Sequence, residues 1–326
     1  MATTATQTTG SDRGLDANSP LEMPGRAWWE ILKRIWESTG SNNIALLSAG
    51  VAFYAFLSFV PLLGALIMTY GLVADPATVA EHMRVIIDLV PADAARLIYE
   101  QLVSVTTTAA EKTGLGLGLA LLISIYGAMR ASGAIMVALN VIYEQHERRN
   151  FFVTTALSAA ITVGAVVVGI VGLLSASILG FLQDLVSGLG PAVIVVAKVV
   201  TWLVAGALAS VAIAATYRFG PDRADARWRW LTLGSMLATV LWLAATIGFG
   251  FYAARFGDYN ATYGSLGAVV VLLMWLFVSA YAILLGAAIN AEVERQTTRD
   301  STTGAPRPMG QRGATVADTG PADSPR

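Results

Sequence analysis

The chain has 326 residues, 55% of them hydrophobic and 13% charged, with a mean hydropathy of +0.62 and a formal net charge of −1. Soluble domains carry about 25% charged residues, so the composition argues against an ordinary soluble domain and for a chain solvated mostly by lipid. Absence of cysteine excludes disulfides, thiolate metal sites and a cysteine nucleophile, and two histidines, His82 and His146, are too few and too far apart for a histidine-rich metal cluster.

Residues 1–25 are polar, rich in Thr, Ser, Asp, Gly and Pro, and without periodicity. They are expected to form a disordered tail, with no hydrophobic run that would make a cleavable signal peptide. Residues 26–37, RAWWEILKRIWE, place Trp28, Ile31, Leu32, Ile35 and Trp36 at helical spacing, with Lys33 and Arg34 on the other side. Two readings stand for this amphipathic helix: it lies at the membrane interface, or it packs against the protein's own loops.

Six hydrophobic segments follow, at about 44–73, 115–143, 152–182, 191–217, 231–254 and 262–291. The first is long enough as a helix to run ~45 Å against a hydrocarbon core of ~30 Å. Pro61 is expected to kink it, with the hydroxyls of Tyr54 and Ser58 satisfying the freed carbonyls or contacting a ligand. Residues 74–113 form the long connector, read as two short helices divided by Pro91. The third segment repeats Gly172, Ala176 and Gly180 at four-residue spacing, a pattern that lets helix backbones approach, within one molecule or between copies. Lys198 in the fourth is expected to snorkel to the interface. Residues 296–326 turn polar and Pro/Gly/Ser/Thr-rich, a second expected disordered tail. The fold class is therefore all-α: a polytopic membrane protein of six transmembrane helices with a short helical extracytoplasmic loop, its membrane domain covering 26–295.

An even number of spans puts both tails on one side. Eleven basic residues flank the spans on that side against four on the other, so the positive-inside rule places both termini in the cytoplasm and 74–113 outside.

The second segment carries Arg130 near its middle, where a charge costs ~2.5–3.5 kcal/mol on insertion scales. No Asp or Glu lies at matching depth in any segment. Arg130 must then be satisfied by carbonyls, hydroxyls or water, or by an anion the protein binds. Tyr54, Ser58, Tyr263, Ser279 and Tyr281 are the candidate partners and the candidate lining of a substrate cavity. Asn140, Asn290 and Glu292 sit at similar depth near the terminal side, where interhelical hydrogen bonds or a gating network would use them. On the opposite side Tyr259, Asn260, Tyr263 and Ser265 crowd a short turn, read as a tight return into the last span or as the mouth of a site. The Gly114–Gly118 run follows no strand, and the chain has no Walker A motif.

Several stretches in order resemble the YihY/BrkB family of bacterial inner-membrane proteins. They are AGVAFYAFLSFVP at 49–61, Arg130 through Asn140 and Tyr143, Glu147-Arg148-Arg149, YNATYGSLGA at 259–268, and LGAAINAE at 285–292, where the family commonly has Glu in place of Ala288. The resemblance implies six transmembrane helices and an inner-membrane location. It also brings a ribonuclease label, which this sequence does not support: it lacks an HxHxDH run, and its carboxylates are scattered on both sides of a membrane.

The sequence thus leads to a non-enzymatic inner-membrane protein without cofactor or metal. It is expected to move an anionic or amphipathic solute through a polar cavity near Arg130, between spans one, two and six. The alternative is a non-transporting envelope scaffold whose outer loop or tails bind other proteins. The expected partners are the lipid bilayer and the solute, not nucleic acid; a homo-oligomer is left open.

Overall fold

The computed structural model describes residues 13–71, 115–186, 191–255 and 265–321. Among these the chain is all-helical, with one isolated backbone bridge, Ala226 to Thr302, and no strand. The helices are α1 (Gly25–Ser41), α2 (Ile44–Gly71), α3 (Leu115–Ile142), α4 (Phe151–Val186), α5 (Pro191–Phe219), α6 (Trp228–Arg255), α7 (Ser265–Gln296) and the short α8 (Thr315–Asp318). The connector at 74–113 and the turn at 259–264 lie outside the described residues, as do the side chains of Gly172, Ala176, Gly180 and Lys198.

Helices α2 to α7 are apolar around most of their circumference, which suits burial in lipid rather than against one aqueous face. By length and composition, four helices among the described residues can cross a membrane, within α3, α4, α6 and α7; α1 and α2 taken as one bent span make a fifth. Each long helix packs against its chain neighbour, and α7 closes the ring against α2 while also touching α3. Large side chains such as Leu46, Phe53, Leu57, Val167, Leu203 and Phe251 stay exposed on the flank, where lipid would cover them.

The helix starting at residue 25 bends by 61° into α2. The turn is made at Asn43, whose φ of 50° is a left-handed conformation that asparagine tolerates. The buried face of α1 shares Ile31 and Ile35 with the face that the apolar spacing predicts, with Trp28 packed beside them, but it is turned so as to take in Arg34. Ala27, Ile31, Arg34 and Ile35 face inward, while Trp29, Leu32 and Trp36 are exposed. Arg34 turns in because Glu292, near the end of α7, is itself buried and needs a cation.

The expectation of disordered tails over 1–25 and 296–326 fails for residues 13–24 and 297–321. These segments are folded against the end of the bundle that carries both of them. Arg227 N–H and Thr303 N–H bond the carbonyls of Ser301 and Asp225, while Ala224 N–H bonds that of Gly313. Thr298 N–H reaches the Leu15 carbonyl, and Gln296 and Thr297 side chains bond the carbonyls of Arg13 and Ala17 at 2.8 and 2.7 Å. Arg312 is buried, with bonds of 2.6 Å to the carbonyls of Ala317 and Thr298. Asp318 collects the N–H groups of Gly310, Arg312 and Gly313. The polar, glycine-rich composition that reads as disorder supplies turns here: Gly304, Gly310 and Gly313 all adopt positive φ.

Candidate functional site

Arg130 is exposed on α3 and lines a cleft of about 610 Å³ between α2, α3 and α4. Its guanidinium stands 5.8 Å from the ring centre of Tyr126, one turn earlier. Among the described residues it makes no ion pair and no hydrogen bond. A cation over an aromatic face gains about 0.5–2 kcal/mol, less than the insertion cost of ~2.5–3.5 kcal/mol, so Tyr126 offsets only part of the burden.

The cleft runs from Leu46 on α2 and Phe151 on α4, at the terminal end, inward to Tyr54 and Arg130. Twelve residues separate Arg130 from Ile142 at the end of α3, about 18 Å along a helix at 1.5 Å per residue. That depth is near the middle of a ~30 Å hydrocarbon layer. Its walls are mainly apolar, with hydroxyls from Tyr54, Thr154, Thr155 and Ser158. Two glycines, Gly50 and Gly133, form part of the lining; a Cβ on Gly50 would meet nothing within 4 Å, and one on Gly133 only Ser158 Oγ at 3.9 Å.

The other cavity candidates separate. Ser58 is buried and lies outside the cleft lining. Its Oγ donates to the Gly127 carbonyl at 3.1 Å and accepts from Ala131 N–H at 3.2 Å, tying α2 to α3 instead of capping its own helix. Helix α2 continues through Pro61. Ser279 accepts a hydrogen bond from Trp242 Nε1 at 3.1 Å, and Tyr281 lies tilted on Phe277 at 6.3 Å. Neither lines the cleft, so span six, which the sequence reading placed at the cavity, is replaced there by α4. Tyr263 and Asn260 are outside the described residues.

Asn140, Asn290 and Glu292 form three separate links. Asn140 donates to Glu147 at 2.9 Å and accepts from Asp222 N–H at 2.7 Å, joining the two loops that follow α3 and α5. Asn290 accepts from Gly234 N–H at 2.8 Å and donates to the Leu231 carbonyl at 3.1 Å, fastening α7 to α6. Gly234 is required at that crossing, since a Cβ would fall 2.3 Å from the Gly286 carbonyl oxygen. Glu292 accepts from Arg34 Nε at 2.8 Å, and Arg34 also reaches Gln296 at 2.5 Å.

Sequence reasoning missed a buried ionic layer directly beside Glu292 on α7. Arg223 binds both oxygens of Glu294, at 2.5 and 2.8 Å, with each side chain only 1% exposed. Ser301 donates to the same carboxylate, and the Arg223 guanidinium lies over the Tyr143 ring at 5.0 Å. Arg295 pairs with Glu144 at 2.6 Å, and Glu144 holds a φ of 53°. The basic residues at 218–229 thus do more than mark the terminal side: Arg223 binds Glu294 of α7 and Arg227 Nε donates to the Thr302 carbonyl at 2.8 Å. The available signal was the Glu292-Val293-Glu294-Arg295 run at the end of an otherwise apolar helix.

The link at Asn140 continues outward. Glu147 receives two bonds of 2.7 Å from Arg149. Those bonds hold its carboxyl below the usual value, against the opposing effect of partial burial, with Asn140 adding to the lowering. Among the described residues no group of three or more His, Asp or Glu could hold a metal ion.

Comparison with known proteins gives the same frame. The family model described as virulence factor BrkB matches residues 35–310. A ribonuclease-like protein, YfkH, of Bacillus subtilis (strain 168) is 28% identical over 254 residues, covering 76% of this chain and 90% of its own. A UPF0761 membrane protein of Ralstonia nicotianae is 29% identical over 260 residues, covering 77% of this chain and 56% of that protein. Another, of Tolumonas auensis, is 28% identical over 262 residues, covering 78% and 82%. No solved structure matches the chain. With a match across most of its length, and with the quoted motifs in order on an all-helical membrane bundle, the chain belongs to the YihY/BrkB family of membrane proteins.

Proposed function

We propose that this protein lies in the bacterial inner membrane with both termini cytoplasmic, and that it moves an anionic or amphipathic solute past Arg130. The observation that carries the reading is Arg130 itself: a cation at mid-membrane depth, exposed into a cleft, whose one charge-compensating contact among the described residues is the Tyr126 ring. A side chain needed only for packing would find carbonyls or a carboxylate; this one presents its donors to the cleft. The orientation rests on the excess of basic residues at the end where both tails fold. The ribonuclease-like name of the Bacillus relative remains a statement about that protein.

Proteoliposomes carrying a fluorescent fatty acid as anionic amphiphile and sulforhodamine as soluble anion test the proposal. Wild-type protein is expected to accelerate movement of one of them, Arg130→Gln to lose the acceleration, and Arg130→Lys to keep part of it. Equal rates for wild type, Arg130→Gln and protein-free vesicles would remove the transport reading and leave the envelope scaffold in its place.

A further inference from the structure

We infer that the occupant of the cleft is a bilayer phospholipid with an anionic headgroup, entering sideways from the leaflet at the terminal end, and that Gly50 and Gly133 keep the cleft open for it. The inference rests on the reading of the cleft as a solute path and names the solute's class.

Charge in the cleft is concentrated at one end. The cleft offers one charged group, Arg130, at its deep end, and apolar or hydroxyl-bearing walls elsewhere. A fully hydrated soluble anion would need donors on several sides. A phosphodiester with acyl chains needs one cationic anchor and a long apolar wall. The outer lip is made by Leu46, Val137 and Phe151, exposed by 72%, 62% and 77%, on helix faces that a bilayer would cover. A lipid reaches such an opening without leaving the membrane.

A second copy of the chain does not serve as the natural cover. An occupant that leaves Arg130 without an anion leaves its charge uncompensated in hydrocarbon. Residues 44–71, 115–142, 151–183, 191–219, 228–255 and 265–291 contain no Asp or Glu, so the spans of an identical copy bring no carboxylate to that depth. An anion at that depth therefore comes with the occupant and not from a span.

The glycines add a handle independent of charge. Since a Cβ at Gly50 meets nothing within 4 Å, and one at Gly133 meets only Ser158 Oγ at 3.9 Å, larger side chains there occupy cleft volume and not another helix. Glycine inside a helix is otherwise a disadvantage, so its use on this wall fits a requirement for space.

The test uses the full chain in nanodiscs of phosphatidylethanolamine with a minor share of phosphatidylglycerol, read by native mass spectrometry of the lipids retained. Wild type is expected to keep phosphatidylglycerol in preference to phosphatidylethanolamine. Arg130→Gln should lower that retention roughly tenfold, as loss of a charge-assisted contact would, and Arg130→Lys should restore part of it. Gly50→Leu with Gly133→Leu should abolish retention with no fall in Tm, which keeps the test decisive where Arg130→Gln fails to fold. Retention unchanged in the glycine pair, equal retention of both lipids, or displacement by free glycerol phosphate at equal phosphate concentration would each overturn the inference. A parallel flux assay with a fluorescent phosphatidylglycerol separates the two claims. Lipid retained but not moved leaves the inference standing and sinks transport; soluble anion moved with no lipid retained does the reverse.

Discussion

Ser58 of α2 inserts its hydroxyl into the hydrogen-bond ladder of α3, donating to the carbonyl of Gly127 at 3.1 Å and accepting from Ala131 N–H at 3.2 Å. The contact flanks Arg130 and fixes the face of α3 that carries it. It requires the two helices to be close, and Gly127 permits this: a Cβ there would lie 2.8 Å from Cβ and Cγ of Pro61. Pro61, named from the sequence as the place where α2 would kink, also serves as a rigid surface against which a neighbouring glycine packs.

Gly127→Ala is therefore expected to destabilise the protein by about 1–3 kcal/mol, the usual cost of overpacking against a partner that cannot change rotamer. Gly118→Ala, on the same helix with nothing within 4 Å of the added Cβ, should be neutral or stabilising by up to about 1 kcal/mol. Thermal unfolding of the two variants in one detergent decides the matter. Equal shifts would mean that the α2–α3 crossing does not depend on Gly127.

The Arg223–Glu294 pair gives a second prediction. Both side chains are 1% exposed and the contact is bidentate. Removing one partner leaves a buried charge alone, a loss of roughly 3–5 kcal/mol. Replacing both by apolar residues of similar volume is often near neutral. Arg223→Met is thus expected to loosen residues 297–321, seen as earlier cleavage by protease and faster hydrogen exchange, and Arg223→Met with Glu294→Leu to recover most of the protection. A double variant as loose as the single would show that the pair acts through Ser301 and not through its own charge balance.

These two contacts mark what the sequence does and does not reveal. Long apolar runs state the helices and the membrane outright, because lipid-facing and buried faces both demand apolar residues. The same uniformity hides which face goes where: nothing in a run such as 44–71 says that Ser58 points at α3 while Tyr54 points into a cleft. Depth put Arg130, Tyr54, Ser58, Ser279 and Tyr281 on one level, but depth is one coordinate, and only Arg130 and Tyr54 share the cleft. In α1 the apolar spacing put Arg34 on the solvent side, since its partner Glu292 lies 258 residues away. The tail read as disorder because its contacts are hydrogen bonds to backbone, which leave no hydrophobic period in the sequence.

The terminal-end loops should respond to acid. The bonds from Arg149 hold the Glu147 carboxyl low against partial burial. Burial raises that of Asp300, but the N–H of Arg307 and both donors of Thr302, with the charge of Arg312, outweigh it and leave it below the ordinary value as well. Each group is thus more acidic folded than unfolded. Their contribution to stability is present above the ordinary carboxylate range and is lost as pH falls through the lower folded values. Stability is expected to decline below about pH 4.5, with Glu147→Gln and Asp300→Asn flattening that decline and lowering stability at neutral pH. A variant with the wild-type acid profile would show that the group is not part of the acid response.

The last prediction concerns α1, which presents two chemically different faces. Arg34 fastens the inner face to Glu292 at 2.8 Å and to Gln296 at 2.5 Å, while Trp36, 83% exposed, lies on the outer one. Arg34→Ala leaves the Glu292 carboxylate buried with only Arg295 Nε at 3.8 Å, so α1 should detach from α7, at a cost of roughly 3–5 kcal/mol. Hydrogen exchange over 25–41 should then rise in detergent and in lipid alike. Trp36→Ser removes an aromatic ring that is almost wholly exposed, so exchange in detergent should match wild type, while in lipid it should rise, because the ring's place is the headgroup layer. Protection in lipid unaffected by Trp36→Ser would mean that α1 is held by the protein alone, and that its exposed tryptophans lie outside the membrane surface.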